Sequence, residues 1–293
     1  MPRRHDIELL RVISAFGIVW FHAGVPGGMV AYAGLVVFLV LSTYLARRTF
    51  DAPTWHSLRQ RARRLLIPWL VWFMVYGGLN VSRGGAFLDT RNGWVPALMS
   101  GTNIHLWYLP FIFLFLSGMD VFNAHVGRRA AAWIFGTLAL AVTATAPMWR
   151  PTTLISPFPT LQWADALAPV AFGIFLQNAS ALSRGSAGTF VALTISAAIA
   201  IVPFNTVGIS FALGFGACAL IAWGKTAGWT CPGIQPMADL TFGIYLAHIF
   251  VFAQLLKYAD LADAAMPFAI FAISAAVVAA GRALAPRLRS YWS

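Results

Sequence analysis

Three ionisable residues lie in the first apolar segment of the chain: Glu8, Arg11 and His22. Arg11 follows Glu8 by three residues, and His22 follows Arg11 by eleven, so a helix places all three on one face. Arg11 and His22 are then about 16 Å apart along the helix axis. An imidazole can accept a proton near neutral pH, which makes His22 a candidate general base. The alternative is a local Arg11–Glu8 pair at one membrane interface and a hydrogen-bonded histidine near the other.

An arginine-rich segment before the third apolar segment holds the second set of candidate residues. Arg61 and Arg64 lie three residues apart, so a helix presents them as neighbours. Guanidinium groups match the geometry of phosphate oxygens, which makes the pair a candidate for binding a phosphorylated donor. Taken alone, the segment is more typical of a positively charged membrane flank or of an anionic-lipid contact.

Further candidates for a pocket lie in or beside the apolar segments. Trp107 and Tyr108 belong to the run LWYLPFIF, and Tyr245 and His248 belong to the run TFGIYLAH. Glu8 is a pocket candidate on the first segment. Packing between helices explains the three aromatic residues better than a pocket does, and a hydrogen bond between helices explains His248 at least as well as catalysis.

Five other residues receive plainer interpretations. For His105, a place at the membrane interface explains the residue at least as well as a catalytic role, and Asp120 and Asp239 are interpreted as solvated or capping residues near the inner ends of spans. Cys218 and Cys231 lack the spacing of a disulfide framework or of a metal site. We therefore expect neither a metal nor a resident cofactor.

The composition identifies the elements that must position these side chains. Of 293 residues, 59% are hydrophobic and 10% are charged, and the mean hydropathy is +0.74. Soluble domains carry about 25% charged residues, so the composition excludes a soluble or disordered chain and predicts an all-α membrane protein. Spans of about 20 residues are predicted near 7–25, 29–46, 65–82, 106–123, 130–148, 166–182, 187–203, 207–224, 240–257 and 265–285. Ten spans leave room for one transmembrane domain over residues 1–293.

The distribution of charge predicts the orientation of the bundle. The net charge of +11 suggests nucleic acid at first sight, but fifteen of the twenty basic residues fall in the segments that share a side with the N-terminus. The opposite segments hold four, which is a positive-inside bias. Both termini are therefore predicted to be cytoplasmic, in a multipass protein of the plasma membrane, and nucleic acid is not an expected partner. Two long outer segments, 83–105 and 149–165, are predicted loops that could hold an external substrate.

Four segments, in order, resemble integral-membrane acyltransferase family 3. Glu8-Leu-Leu-Arg11 followed by His22 is similar to the family's opening arginine and histidine motif. The run GLVVFLVLSTYL, which begins at Gly34, is similar to its second-span signature, although Thr43 stands where glycine is usual. Arg61-x-x-Arg64 before a proline is similar to its arginine pair, and LWYLPFIF and TFGIYLAH resemble its later landmarks.

The resemblance implies a ten-helix bundle, in the bacterial inner membrane, that moves an acyl group from acyl-CoA to a hydroxyl of a carbohydrate. It implies His22 as the catalytic histidine, acting as the general base or, as the less favoured alternative, carrying the acyl group. It implicates Arg11, Arg61 and Arg64 in donor binding or in the architecture of the site. Acetyl-CoA is the expected donor substrate, a polysaccharide or lipid-linked glycan the expected acceptor, and membrane lipids the other partner.

Two other functions remain open from the sequence. In a transporter or flippase, the same Arg11, His22, Arg61 and Arg64 would bind an anionic substrate or relay protons. In a noncatalytic partner of a glycan-assembly complex, the loss of His22 would have no effect on activity. Dependence on CoA distinguishes the enzyme from the transporter.

Overall fold

The fold is known from a computed structural model that describes residues 4–46, 55–224, 226, 228–258 and 263–284. Every regular element within these residues is helical, which confirms the predicted all-α class. The α-helices are α1 His5–His22, α2 Gly28–Ala31, α3 Ala33–Tyr44, α4 Trp55–Ser82, α5 Trp94–Ser100, α6 Tyr108–His125, α7 Arg128–Ala144, α8 Ala146–Leu154, α9 Thr160–Asn178, α10 Arg184–Ala200, α11 Val207–Ala222, α12 Ile234–Tyr258 and α13 Met266–Leu284. Single 3-10 turns cover Ile104–Trp107 and Ala179–Ala181.

Four helical segments of the described chain are long and apolar enough to cross a membrane. They are α4, the 3-10 turn together with α6, α12 and α13. The bent pair of α7 and α8 raises the number to five if it forms one span. Apolar helices of 10–17 residues lie over Gly28–Tyr44, Arg184–Ala200 and Val207–Ala222. These lengths and compositions identify an integral membrane protein, whereas the count of ten spans and the cytoplasmic termini stay predictions.

The structure corrects three predicted boundaries. The predicted span 65–82 begins at Trp55, so the arginine-rich segment is a continuous part of α4. The predicted span 130–148 is broken after Ala144 by a bend of 68°, because Pro147 has no N–H to continue the ladder of α7. The predicted outer loops are partly helical, since α5 lies within 83–105 and α8 covers the start of 149–165.

The chain divides into two compact units, and the division falls within α3. The first unit comprises Met1–Leu41 and Arg184–Ser293. In its described part, α1 packs against α2, α12 and α13, and α11 packs against α2 and α10. Glycine allows close approach: a Cβ on Gly34 would lie 2.3 Å from the carbonyl oxygen of Ser14, and one on Gly214 would lie 2.5 Å from Cγ1 of Val36. Gly214 begins the run GFGAC at 214–218, and this run of mostly small residues is thus a packing surface.

The second unit comprises Ser42–Ser183. Here α7 packs along α9, and α4 packs along α6. The pair α4 and α6 is antiparallel, because Arg61 near the start of α4 meets Asp120 near the end of α6, while Tyr76 near the end of α4 meets His105 just before α6. This arrangement brings the arginine-rich turn of α4, residues 59–64, to the C-terminal end of α6.

Candidate functional site

Two histidines from distant parts of the sequence meet in the first unit. His22 ends α1, and His248 lies in the middle of α12. Nε2 of His248 is 3.2 Å from Nδ1 of His22, and the ring centroids are 5.0 Å apart. His248 is 1% exposed, and His22 is half-buried. The spacing within α1 predicts His22 as a candidate, but a contact across 226 residues has no local signal in the sequence.

Backbone carbonyls determine which ring nitrogens carry hydrogen. Nδ1 of His22 is 3.0 Å from the carbonyl oxygen of Ile18, and Nδ1 of His248 is 2.6 Å from that of Tyr245. A carbonyl oxygen can only accept, so each Nδ1 carries the hydrogen, and each neutral ring keeps a lone pair on Nε2. No described residue hydrogen-bonds to Nε2 of His22. This atom is therefore available to accept a proton from a substrate.

A second polar group lies toward the other end of α1 on the same helix pair. Nη1 of Arg11 donates to Oε2 of Glu8 at 2.9 Å, and Nη2 donates to Oγ1 of Thr241 at 3.4 Å. The predicted Arg11–Glu8 pair is therefore present, and it has an additional partner on α12. Because Arg11 meets Thr241 while His22 meets His248, α1 and α12 run side by side in the same direction.

Apolar side chains surround the histidine pair. Val19, Ile244, Val251 and Ile270 are buried in one cluster that joins α1, α12 and α13. The ring of Tyr245 lies 6.0 Å from that of His248. Few polar groups compete for the imidazoles in such surroundings, and hydrogen bonds between them are strengthened because water is excluded.

The two candidate arginines of α4 have different environments. Nη2 of Arg61 lies 2.8 Å from Oδ2 of Asp120, and Nη1 donates to Oγ of Ser117 at 3.3 Å. Arg64 is exposed, as is its neighbour Arg63. The interpretation of Asp120 as a solvated or capping residue is wrong, because its side chain is buried against Arg61. Arg61 is thus a structural partner of α6, while Arg64 can contact a ligand.

A small cavity beside Asp120 presents hydrogen-bond acceptors. Thr43, Asn123 and Gln177 belong to its lining. Oδ1 of Asn123 is buried with no hydrogen-bond partner among the described residues, and Nε2 of Gln177 donates to backbone carbonyls that include that of Thr43. The described lining holds the Asp120 carboxylate and no cationic side chain, so it does not suit a phosphate.

The aromatic candidates Trp107 and Tyr108 are buried in the second unit. The hydroxyl of Tyr108 is 2.5 Å from Oγ of Ser42, and the Trp107 ring packs 5.8 Å from Phe111. His105 is also buried, and its Nδ1 is 3.0 Å from Oδ1 of Asn103. His105 therefore belongs to the packed start of the α6 segment, and its position relative to the membrane interface stays a prediction.

The predicted outer segments contain two ion pairs that sequence reasoning missed. Nη2 of Arg150 donates to Oδ2 of the buried Asp165 at 3.0 Å. Asp89 pairs with Arg91, and hydrogen bonds from the Arg91 side chain and backbone lower the pKa of the exposed Asp89 to about 2. Each pair is neutral when both members are ionised, which leaves the exposed Arg83 as the remaining arginine, lysine or acidic residue of these segments. The close spacing of Asp89 and Arg91 is the one signal that the sequence held.

A comparison with protein families bears on this arrangement. The family model described as an acyltransferase domain, that of acyltransferase family 3, matches residues 4–282, which is nearly the whole chain. No curated protein and no solved structure matches the chain. The matched range contains both histidines, Arg11 and the arginine-rich turn of α4, and it confirms the resemblance seen in the four sequence segments.

Proposed function

Because this chain belongs to acyltransferase family 3, we propose that it transfers an acyl group, acetyl in the first instance, from acyl-CoA to a hydroxyl of a carbohydrate or glycoconjugate. The observation that carries the chemistry is the tautomer of His22. Its Nδ1–H is held by the Ile18 carbonyl, and its Nε2 lone pair is available.

The reaction needs one base and no acyl-enzyme. Nε2 of His22 accepts the proton of the acceptor hydroxyl while the hydroxyl oxygen attacks the thioester carbonyl carbon. The new carbon–oxygen bond forms and the carbon–sulfur bond breaks. The CoA thiolate then takes the proton from the His22 imidazolium, so the enzyme returns to its starting state.

The position of basic residues supports a cytoplasmic donor. CoA carries several phosphate groups, and exposed Arg64 and the partly exposed Arg11 offer guanidinium donors near the N-terminal ends of α4 and α1. We expect both termini on the cytoplasmic side of a ten-span bundle in a bacterial inner membrane. The parallel course of α1 and α12 supports the order of the spans, because the first and ninth predicted spans must cross in the same direction, and the positive-inside bias supports the side of the termini.

The test uses the purified protein in lipid nanodiscs with acetyl-CoA as donor and octyl glucoside as the acceptor probe. Mass spectrometry follows the acetylated glycoside, and a thiol reagent follows released CoA. Cys231 is partly exposed and contributes a constant thiol background, whereas Cys218 is buried. We expect His22→Gln to lower transfer by at least about 100-fold, as for loss of a general base.

His125→Ala is the matched control, because His125 is exposed at the end of α6 and outside the proposed site. It should leave transfer unchanged. Folded wild-type protein that releases no CoA from acetyl-CoA or succinyl-CoA would overturn the enzyme and favour the transporter. Normal transfer by His22→Gln would overturn the base.

A further inference from the structure

We propose that His248 is a positioning residue for the reaction, which holds the His22 imidazole through its Nδ1–H and stabilises the imidazolium that forms during transfer. This inference rests on the proposed function. It gives a chemical role to a histidine that a hydrogen bond between helices would otherwise explain.

The first step of the argument is the direction of the hydrogen bonds. The Tyr245 carbonyl accepts from Nδ1 of His248, so the lone pair of His248 is on Nε2. That lone pair faces Nδ1 of His22 at 3.2 Å. The Nδ1–H of His22 therefore lies between two acceptors, the Ile18 carbonyl on its own helix and His248 on the neighbouring helix.

The second step concerns charge. When His22 accepts a proton on Nε2, its ring becomes cationic, and hydrogen bonds from its Nδ1–H become charge-assisted and about twice as strong. Two acceptors on Nδ1–H then stabilise the imidazolium more than the neutral ring. This is the arrangement in which a nucleophile's base is itself oriented by a third group, here a neutral imidazole instead of a carboxylate.

The third step is that the described helices place no other charged side chain near the contact between His22 and His248. Tyr245 is the other titratable group within one turn of His248 on α12. Tyr32, which follows α2, packs against Phe21 beside His22 and is neutral at neutral pH. The ionisable residue of α13, Arg282, contacts the backbone carbonyl of Asp239 toward the start of α12. Glu8 and Arg11 lie three or more turns from His22 on α1. His248 is thus the group placed to respond to protonation of His22.

The cost of burying the His248 imidazole also supports a role beyond packing. A 1% exposed imidazole among apolar side chains needs partners for both nitrogens. The Tyr245 carbonyl serves Nδ1 locally, but Nε2 needs a donor, and His22 supplies one. Leucine would pack in the same volume at lower cost if packing were the sole role.

The test compares three variants in nanodiscs. In His248→Gln, the amide oxygen can take the position of Nε2 and accept from His22, whereas His248→Ala removes the acceptor. Val251→Ala is the packing control, since Val251 is buried three residues further along α12 in the same apolar cluster. We expect His248→Ala to lower kcat about 10- to 100-fold, as for loss of an orienting partner, with KM for acetyl-CoA changed less than twofold. His248→Gln should recover most of the loss, and Val251→Ala should keep the wild-type kcat.

The pH profile adds a readout that packing alone does not move. Without His248, the imidazolium of His22 is less stable, so the acidic limb of kcat/KM should shift to lower pH while the plateau falls. The inference is overturned if His248→Ala keeps the wild-type kcat and profile. It is also overturned if His248→Gln is no better than His248→Ala while Val251→Ala shows an equal loss.

A measurement without substrate separates this inference from the proposed function. Nitrogen-15 NMR of the histidine rings in nanodiscs should show His22 protonated on Nδ1 and a changed Nδ1 resonance in His248→Ala, which removes the acceptor. If that change is present but acetyl-CoA is not consumed, the proposed function fails and the histidine contact stands. An unchanged His22 resonance overturns the contact, whatever the activity.

Discussion

Arg61 on α4 and Asp120 on α6 form a buried ion pair whose closest nitrogen and oxygen are 2.8 Å apart. The side chain of Asp120 is 9% exposed and that of Arg61 19%. The two arginines that the sequence presents as one phosphate-binding pair therefore have different surroundings. Arg61 joins the antiparallel helices of the second unit, whereas Arg64 is exposed.

Removal of Asp120 should destabilise the fold more than removal of the pair. Asp120→Ala leaves the Arg61 guanidinium partly buried without its counterion, which we expect to lower the free energy of unfolding by about 2 kcal/mol. Asp120→Leu combined with Arg61→Met restores apolar packing and should cost less. Thermal unfolding in one detergent, measured for the single and double variants, gives the comparison. Equal losses of stability in Asp120→Ala and in the double variant would contradict the expected cost of leaving Arg61 without its counterion.

Arg64 should affect the donor and not the fold. We expect Arg64→Ala to raise KM for acetyl-CoA several-fold, because one guanidinium contact to phosphate is lost, with unchanged folded yield. Arg63→Ala is the matched control, since Arg63 is equally exposed but points to a different side of α4. If Arg63→Ala raises KM as much as Arg64→Ala, the segment acts as a general cationic flank and the donor site is wrong.

The sequence predicted features that depend on local spacing. The apolar segments gave the helical class, and the step of three residues gave the Glu8–Arg11 pair. The contacts of His22 with His248 and of Arg61 with Asp120 were not predictable, because the contacting residues are 226 and 59 residues apart in the sequence. The bend after Ala144 was missed even though Pro147 held a local signal for it.

Thr43 takes the place of a glycine in the second-span motif and still allows close packing. Its Oγ1 donates to the Val170 carbonyl at 3.1 Å, so the extra atoms of the side chain form a contact between α3 and α9. We expect Thr43→Val, which keeps the shape but removes this second hydrogen bond to a carbonyl within α9, to lower stability by about 1 kcal/mol. Thr43→Ser keeps the hydroxyl and is the control. A Thr43→Val variant as stable as Thr43→Ser in thermal unfolding would contradict the bond's contribution.

Gly34 leaves no room for a side chain where α1 meets α3. A Cβ there would lie 2.3 Å from the carbonyl oxygen of Ser14, and backbone cannot move aside as a flexible side chain can. We expect Gly34→Ala to separate α1 from α3 and to lower the free energy of unfolding by about 3 kcal/mol or more. Because α1 carries His22, transfer activity per folded molecule should fall as well.

The matched substitution for Gly34→Ala is Gly216→Ala on α11. A Cβ on Gly216 meets no atom within 4 Å, so alanine there should leave stability unchanged or raise it by up to about 1 kcal/mol through helix propensity. Fluorescence-detected size exclusion and thermal unfolding of the two variants measure the difference. A Gly34→Ala variant that unfolds at the same temperature as Gly216→Ala would show that α1 and α3 tolerate a wider separation than the contact at Ser14 implies.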